Sequence, residues 1–210
     1  MGDSFRYVPD SPKLPRILLL GDSISRGIWT ETQNLFGSLA NIQGAPTNCH
    51  GFDLYNRNLQ NWLGGCPWDV IQFNVGMHYG NHNDMQSYKN GLHRIVDRLK
   101  SHSPSAMIVI ALTTPSPFDS PSTTPDKNTC RNYGKFKKMG DVGKLNDAAK
   151  ELAKELNVTI SDRYSAILPK LGLVQKPCDI HFEKEGYELL ARHDWEVISY
   201  LLSQQSEKLA

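Results

Sequence analysis

Four consecutive apolar residues, Ile17 to Leu20, run straight into Gly21-Asp22-Ser23. A run that short reads as a strand covered on both faces, the kind that parallel sheets bury between layers of helices. The pattern recurs. Asp69–Asn74 and Met107–Leu112 are further strands of this type, and Ala40–Gln43 and Val158–Ile160 are weaker ones. Amphipathic helices are predicted between them over Trp29–Leu39, Leu54–Leu63, Asp84–Ser101, Asp141–Leu156 and Lys184–Ser203. In the third of these, Leu92, Ile95, Val96 and Leu99 fall at spacings of three and four, which places them on one face. Strands alternating with helices imply an α/β chain whose parallel sheet carries helices on both sides.

Open α/β sheets collect their reactive groups outside the carboxyl ends of the strands, and Ser23 stands at that junction. An Asp-Ser pair after Gly is also ordinary turn and N-cap chemistry. Near the other end of the chain, Cys178-Asp179-Ile180-His181 forms a polar loop that leads into the last helix. A serine needs a base to lose its proton, and the neutral imidazole of His181 can accept it near neutral pH. Asp179 is the candidate carboxylate to orient that ring. The order serine, acid, histidine is also that of α/β-hydrolases, but position 25 is Ser, so the Gly-x-Ser-x-Gly elbow is absent.

Composition narrows the field. At 210 residues the chain is read as one domain over residues 16–205 behind an N-terminal extension, residues 1–15. A net charge of +1 gives no basic field for nucleic acid or an anionic membrane. No apolar run approaches the ~18 residues of a membrane span. Neither a dinucleotide fingerprint nor a Walker pattern occurs. Cys49, Cys66, Cys130 and Cys178 lack metal-ligand spacing, so no metal and no cofactor is expected. They are read as isolated thiols, with disulfides as the alternative in a secreted chain. Met1–Lys13 contains no apolar leader, which leaves the compartment open with the cytoplasm favoured. Asn157-Val158-Thr159 fits a glycosylation acceptor, but it falls at an expected buried strand edge and is read as chance. Thr113–Gly140, with Pro115, Pro117, Pro121 and Pro125 and a basic run from Arg131 to Lys138, is read as a lid, a mobile loop or a solvated insertion.

Taken together, Gly21-Asp22-Ser23 after an apolar strand, the Gly76-Met77-His78 turn after the third strand and His181 before the last helix resemble the SGNH hydrolases, also called GDSL esterases/lipases. The likeness runs from about Arg16 to Leu202. It implies a flavodoxin-like α/β/α sandwich with a five-stranded parallel sheet. It also implies Ser23 as nucleophile, His181 as general base and the Ser23 backbone N–H as an oxyanion donor. In that family the third block is normally Gly-x-Asn, so His78 stands in the place of an oxyanion-binding Asn; an imidazole also has an N–H to donate. A branch with Asn-x-Gly-x-His is similar to this chain at Asn74, Gly76 and His78. Asn74 is expected to cap or pin that loop. Gly51, in the Asn48–Gly51 loop, is the candidate for the second block's oxyanion glycine or is a simple turn glycine.

The family's Asp-x-x-His has Cys178 where its acid would be. Asp179 lies two residues before His181 and shares its side in an extended segment; otherwise a backbone carbonyl orients the ring and leaves a Ser-His dyad. The implied activity is hydrolysis of a small carboxylic ester, acetyl-type and possibly on carbohydrate. Two alternatives stand beside it. One is a thioester or lysophospholipid hydrolase with Trp29, Met77 and Phe118 lining an acyl pocket. The other is a binding module that kept the fold and lost turnover.

Overall fold

The computed structural model describes residues 9–79, 83–138 and 142–209. Five strands, β1 (Arg16–Leu20), β2 (Asn41–Gly44), β3 (Val70–Phe73), β4 (Met107–Ala111) and β5 (Thr159–Ser161), form one sheet in the order β2-β1-β3-β4-β5. All four pairings are parallel, with Ile17 opposite both Ile42 and Val70. Strand pleating sorts the core. Leu18 and Leu20 face one layer with Ile71, Phe73, Ile108 and Ile110, while Ile17 and Leu19 face the other with Val70 and Val109.

The helices cover both faces, as the alternation requires. The face of Leu18 and Leu20 receives α2 (Phe52–Leu63), α3 (Met85–His102) and α5 (Val142–Leu156), through Leu59, Leu92, Leu99 and Leu145. The face of Ile17 and Leu19 receives α1 (Ser23–Phe36) and α8 (Lys184–Leu209), through Trp29 and Ile198. Each fully buried Leu contributes about 2 kcal/mol of apolar transfer. This is the expected α/β/α sandwich. Two short helices, α6 (Arg163–Ile167) and α7 (Leu171–Val174), follow β5, and α4 (Tyr133–Lys138) lies in the long β4–α5 connection. Among the described residues no helix is long and apolar enough to cross a membrane.

Several local readings are corrected. Helix α1 starts at Ser23 and not near Trp29, because the buried Asp22 carboxylate accepts the N–H groups of Ile24 and Ser25 and caps it. Asn157 is exposed, not buried at a strand edge; its left-handed backbone (φ 51°) ends α5. The expected first residue of that helix, Asp141, lies outside the described residues, as do Met139 and Gly140. The β4–α5 connection is anchored where it leaves the sheet, since Thr113 exchanges two hydrogen bonds with the Asn146 side chain.

The cysteines are not all isolated. Cys130 and Cys178 form a disulfide across a sequence separation of 48, whereas Cys49 and Cys66 are free. Closing a loop of that size removes about 4 kcal/mol of chain entropy from the unfolded state. Burial pushes the Cys49 thiol up to about 12, which keeps it protonated and inert.

Candidate active site

The site forms where β1, β3 and the last loop end. Gly21 is required by a close approach, because a Cβ there would overlap the Ser25 side chain in the first turn of α1. With Asp22 taking the cap, the Ser23 hydroxyl is released from N-cap duty. It lies 2.7 Å from His181 Nε2. The other ring nitrogen, Nδ1, is 2.7 Å from Asp179 Oδ1, and the same oxygen accepts the His181 backbone N–H at 3.1 Å.

Asp179 and His181 reach this position because their loop is a narrow hairpin. Gln175 and Phe182 form an antiparallel bridge, the Glu183 N–H donates to the Val174 carbonyl, and the Lys176 N–H donates to the His181 carbonyl. Alternation does the rest. Ile180 and Phe182 are buried in a cluster with Ile24, Met77 and Leu190, while Asp179 and His181 project to the opposite side. Both side chains keep about a third of their surface, 36% and 33%. Burial raises the Asp179 carboxyl, but the hydrogen bonds from the His181 side chain and backbone outweigh it, and the acid is held below its ordinary value.

Gly51 begins α2 as its N-cap with no side-chain cap, and a Cβ there would meet only the His78 carbonyl, at 3.6 Å. His78 stacks on His50 with ring centroids 4.5 Å apart, and its Nε2 lies 3.9 Å from Asp22 Oδ2. Burial lowers the His78 pKa; Asp22 opposes that shift, while His50, Lys135 and His181 reinforce it. The ring therefore favours its neutral form, with one N–H to donate. The structure thus brings Gly51 and His78 together. Asn74 and Gly76 also make packing contacts at the ends of the strands. The Asn74 amide donates to the Ala111 carbonyl at 2.8 Å, and its own carbonyl accepts from the Tyr55 hydroxyl. At Gly76 a Cβ would press to 2.5 Å from Thr113 Oγ1, so glycine lets this turn pack on the end of β4.

A cavity of about 440 Å³ adjoins Gly51 and His78, lined also by His50, Asp53, Arg57 and Tyr79. The expected acyl-pocket trio is split. Met77 and Phe118 pack with the cluster below His181, but Trp29 packs in a separate cluster between α1, α8 and the sheet, against Gly44. Sequence reasoning also missed a buried ion pair beneath the serine. Arg163 binds Asp194 through Nε and Nη2, at 3.1, 3.0 and 2.6 Å, and its Nη1 donates to Ser25 Oγ at 3.0 Å. Ser161 completes the set by donating to Asp194. The one signal in the sequence was the place of Arg163, two residues past the carboxyl end of β5. Among the described residues no cluster of His, Cys, Asp or Glu fits a metal ion.

An α/β/α sheet with a serine at the end of β1, hydrogen-bonded to a histidine before the last helix, defines a class of ester-bond hydrolases. The chain belongs to the GDSL-like lipase/acylhydrolase family, whose model matches residues 19–189. Solved structures agree on the fold. The acetyl xylan esterase AlAXEase is 14% identical with a TM-score of 0.66, over 87% of this chain and 98% of that one. A lipolytic G-D-S-L protein from Veillonella parvula is 20% identical with a TM-score of 0.61, covering 87% and 97%. An acetylxylan esterase from Geobacillus stearothermophilus is 12% identical with a TM-score of 0.58, covering 90% and 94%. No curated protein matches the chain.

Proposed function

We propose that the protein hydrolyses small carboxylic esters through an acyl-enzyme on Ser23. The observation that carries this reading is the continuous chain from Ser23 Oγ to His181 to Asp179, with two contacts of 2.7 Å. His181 Nε2 takes the hydroxyl proton as Oγ attacks the acyl carbon, while Asp179 holds Nδ1–H and stabilises the imidazolium. The tetrahedral oxyanion is met by the backbone N–H groups of Ser23 and Gly51 and by the N–H of His78. His181 then gives its proton to the departing alkoxide. Water, deprotonated by the same nitrogen, attacks the acyl-enzyme, and Ser23 leaves with that proton as the free hydroxyl.

A short acyl group on a hydroxyl-rich alcohol, such as an acetylated carbohydrate, suits the cavity beside Gly51. His50, Asp53, Arg57 and Tyr79 offer hydrogen bonds there, beside the apolar walls of Phe52 and Leu54. The acetyl xylan esterases among the structural relatives point the same way. The test is hydrolysis of p-nitrophenyl acetate, butyrate and octanoate by wild type and Ser23→Ala. Turnover should be greatest on acetate and absent in the variant. Equal rates in both proteins, or a preference for octanoate, would overturn the reading.

A further inference from the structure

The catalytic loop carries a fastening that the hydrolase mechanism does not use. Cys178 sits directly before Asp179 and three residues before His181, and it is bonded to Cys130 with the Cα atoms 5.6 Å apart. The Cys178 backbone lies in the left-handed region, at φ 54°, a conformation that a side chain with a Cβ adopts only when its surroundings hold it there. The hydrogen bonds of residues 176–179 all close within the hairpin: Lys176 to His181, Asp179 to Lys176, and the Asp179 carboxylate to His181. Among the described residues none reaches the body of the protein. The disulfide does.

Its other end is firmly seated. Cys130 is buried, its N–H donates to the Asp126 carbonyl, and its own carbonyl accepts from Tyr133 at the start of α4. Phe136 of α4 is buried in the same apolar cluster as Ile180 and Phe182 of the hairpin. The long β4–α5 connection is thus stapled to the acid–base loop by one covalent bond and by a shared apolar cluster.

We propose that the Cys130–Cys178 disulfide positions Asp179 and His181 against Ser23, so that esterase activity depends on the redox state of this one bond. A dithiol reductant would attack one cystine sulfur, release the other as a thiol and then close its own disulfide. That transfers two electrons and two protons and leaves Cys130 and Cys178 as thiols. The segment of residues 176–179 then keeps only its internal hydrogen bonds, between flanks held by the buried Val174, Ile180 and Phe182, by the Gln175 side chain on the Pro115 carbonyl and by the His181 contact to Ser23. An ångström-scale displacement of the acid–base pair suffices to cost about 10- to 100-fold in turnover. The inference rests on the Ser23 hydrolase reading and adds a condition to it: full activity requires an oxidising setting.

The experiment compares oxidised wild type, dithiothreitol-treated wild type, reoxidised wild type and Cys130→Ser/Cys178→Ser. Thiols are titrated under denaturing conditions, circular dichroism checks that each sample is folded at the assay temperature, and Ser23-dependent hydrolysis of p-nitrophenyl acetate is measured with hydrogen exchange of residues 176–183. Reduction and the double variant should each lower kcat about 10-fold or more with KM little changed, speed exchange in the hairpin, and reverse on reoxidation of wild type. Four free thiols in the oxidised protein would overturn the proposal. So would faster hairpin exchange with unchanged kcat, or unchanged exchange after complete reduction. Absence of Ser23-dependent turnover in oxidised wild type would instead overturn the hydrolase reading, while the exchange data still report whether the bond holds the hairpin.

Discussion

The two segments that meet at the reacting atoms are built on opposite principles. The Gly21–Ser25 turn is held by regular structure: β1 pairs on both sides, Asp22 caps α1, and the Arg163–Asp194 pair grips Ser25 from below. The Val174–Glu183 hairpin has one bridge, internal hydrogen bonds, the buried Val174, Gln175, Ile180 and Phe182, one side-chain hydrogen bond to Pro115 and a disulfide. One half of the catalytic chain is therefore fixed by the fold and the other by local fastenings. A nucleophile on a helix N-terminus is hard to displace without unfolding the domain. An acid–base pair on a tethered hairpin can be moved by itself.

The contrast is broken most directly at its shared contact. Ser23→Ala and His181→Ala should each lower kcat/KM by about 10⁴-fold or more with the thermal midpoint nearly unchanged, read by steady-state kinetics beside calorimetry. Asp179→Asn should cost less, about 10²- to 10⁴-fold, because the ring keeps its place through the hairpin but loses its orienting carboxylate. A loss of under threefold would mean that a backbone carbonyl orients His181 and that the site is a dyad.

On the fold-held side, the expected penalty appears in stability. Arg163→Met leaves Asp194 buried and uncompensated and should cost about 3 to 5 kcal/mol in urea unfolding, whereas Arg163→Met/Asp194→Leu should recover much of it. Failure to recover would show that the pair is needed for more than its own neutralisation.

Smaller effects sharpen the electrostatics. The Asp179 acid is lower in the folded state than unfolded, so its contribution is complete above the ordinary carboxylate range and is lost as pH falls through the folded value. Asp179→Asn should accordingly flatten the acid side of a Tm-against-pH curve, below about pH 4. The His78 pKa is also lowered on folding, so protonation opposes the folded state once pH drops below about 6.5, the ordinary imidazole value. His78→Asn should remove that slope between pH 7 and 5 and retain turnover within about tenfold, since the amide also has an N–H to offer. A much larger kinetic loss would assign His78 a part that an amide cannot play.

The same contrast explains what was legible in the sequence. The sheet and its order of elements follow from short-range signals: apolar runs, helical stripes and a Gly-Asp-Ser turn, with a two-residue alternation that puts Asp179 beside His181; Ser23 and His181, 158 residues apart, were joined only by the chemistry of a serine and its base and by the resemblance to the SGNH hydrolases. The start of α1 was missed although its buried stripe already begins at Ile24, because the cap that decides the boundary is the single carboxylate of Asp22. Pairings between distant residues leave no local trace. Cys130 with Cys178, Arg163 with Asp194, and His50 stacked on His78 are fixed only when the chain folds; the cysteines are read as isolated thiols with disulfides as the alternative, and neither of the other two pairings is anticipated. Trp29 joins a different cluster from Met77 and Phe118, although its neighbour Ile28 packs with them, because consecutive helical residues point about 100° apart.

The central claim is that Ser23 carries the acyl group, and it is tested most directly by trapping that intermediate. The protein would be mixed with p-nitrophenyl acetate, quenched in acid within the first turnover and digested for peptide mass analysis. The account predicts an acetyl group on the peptide containing Ser23, in an amount matching the p-nitrophenolate burst, and none in His181→Ala. A burst with no label on Ser23, or acetylation at another residue in step with turnover, would contradict it.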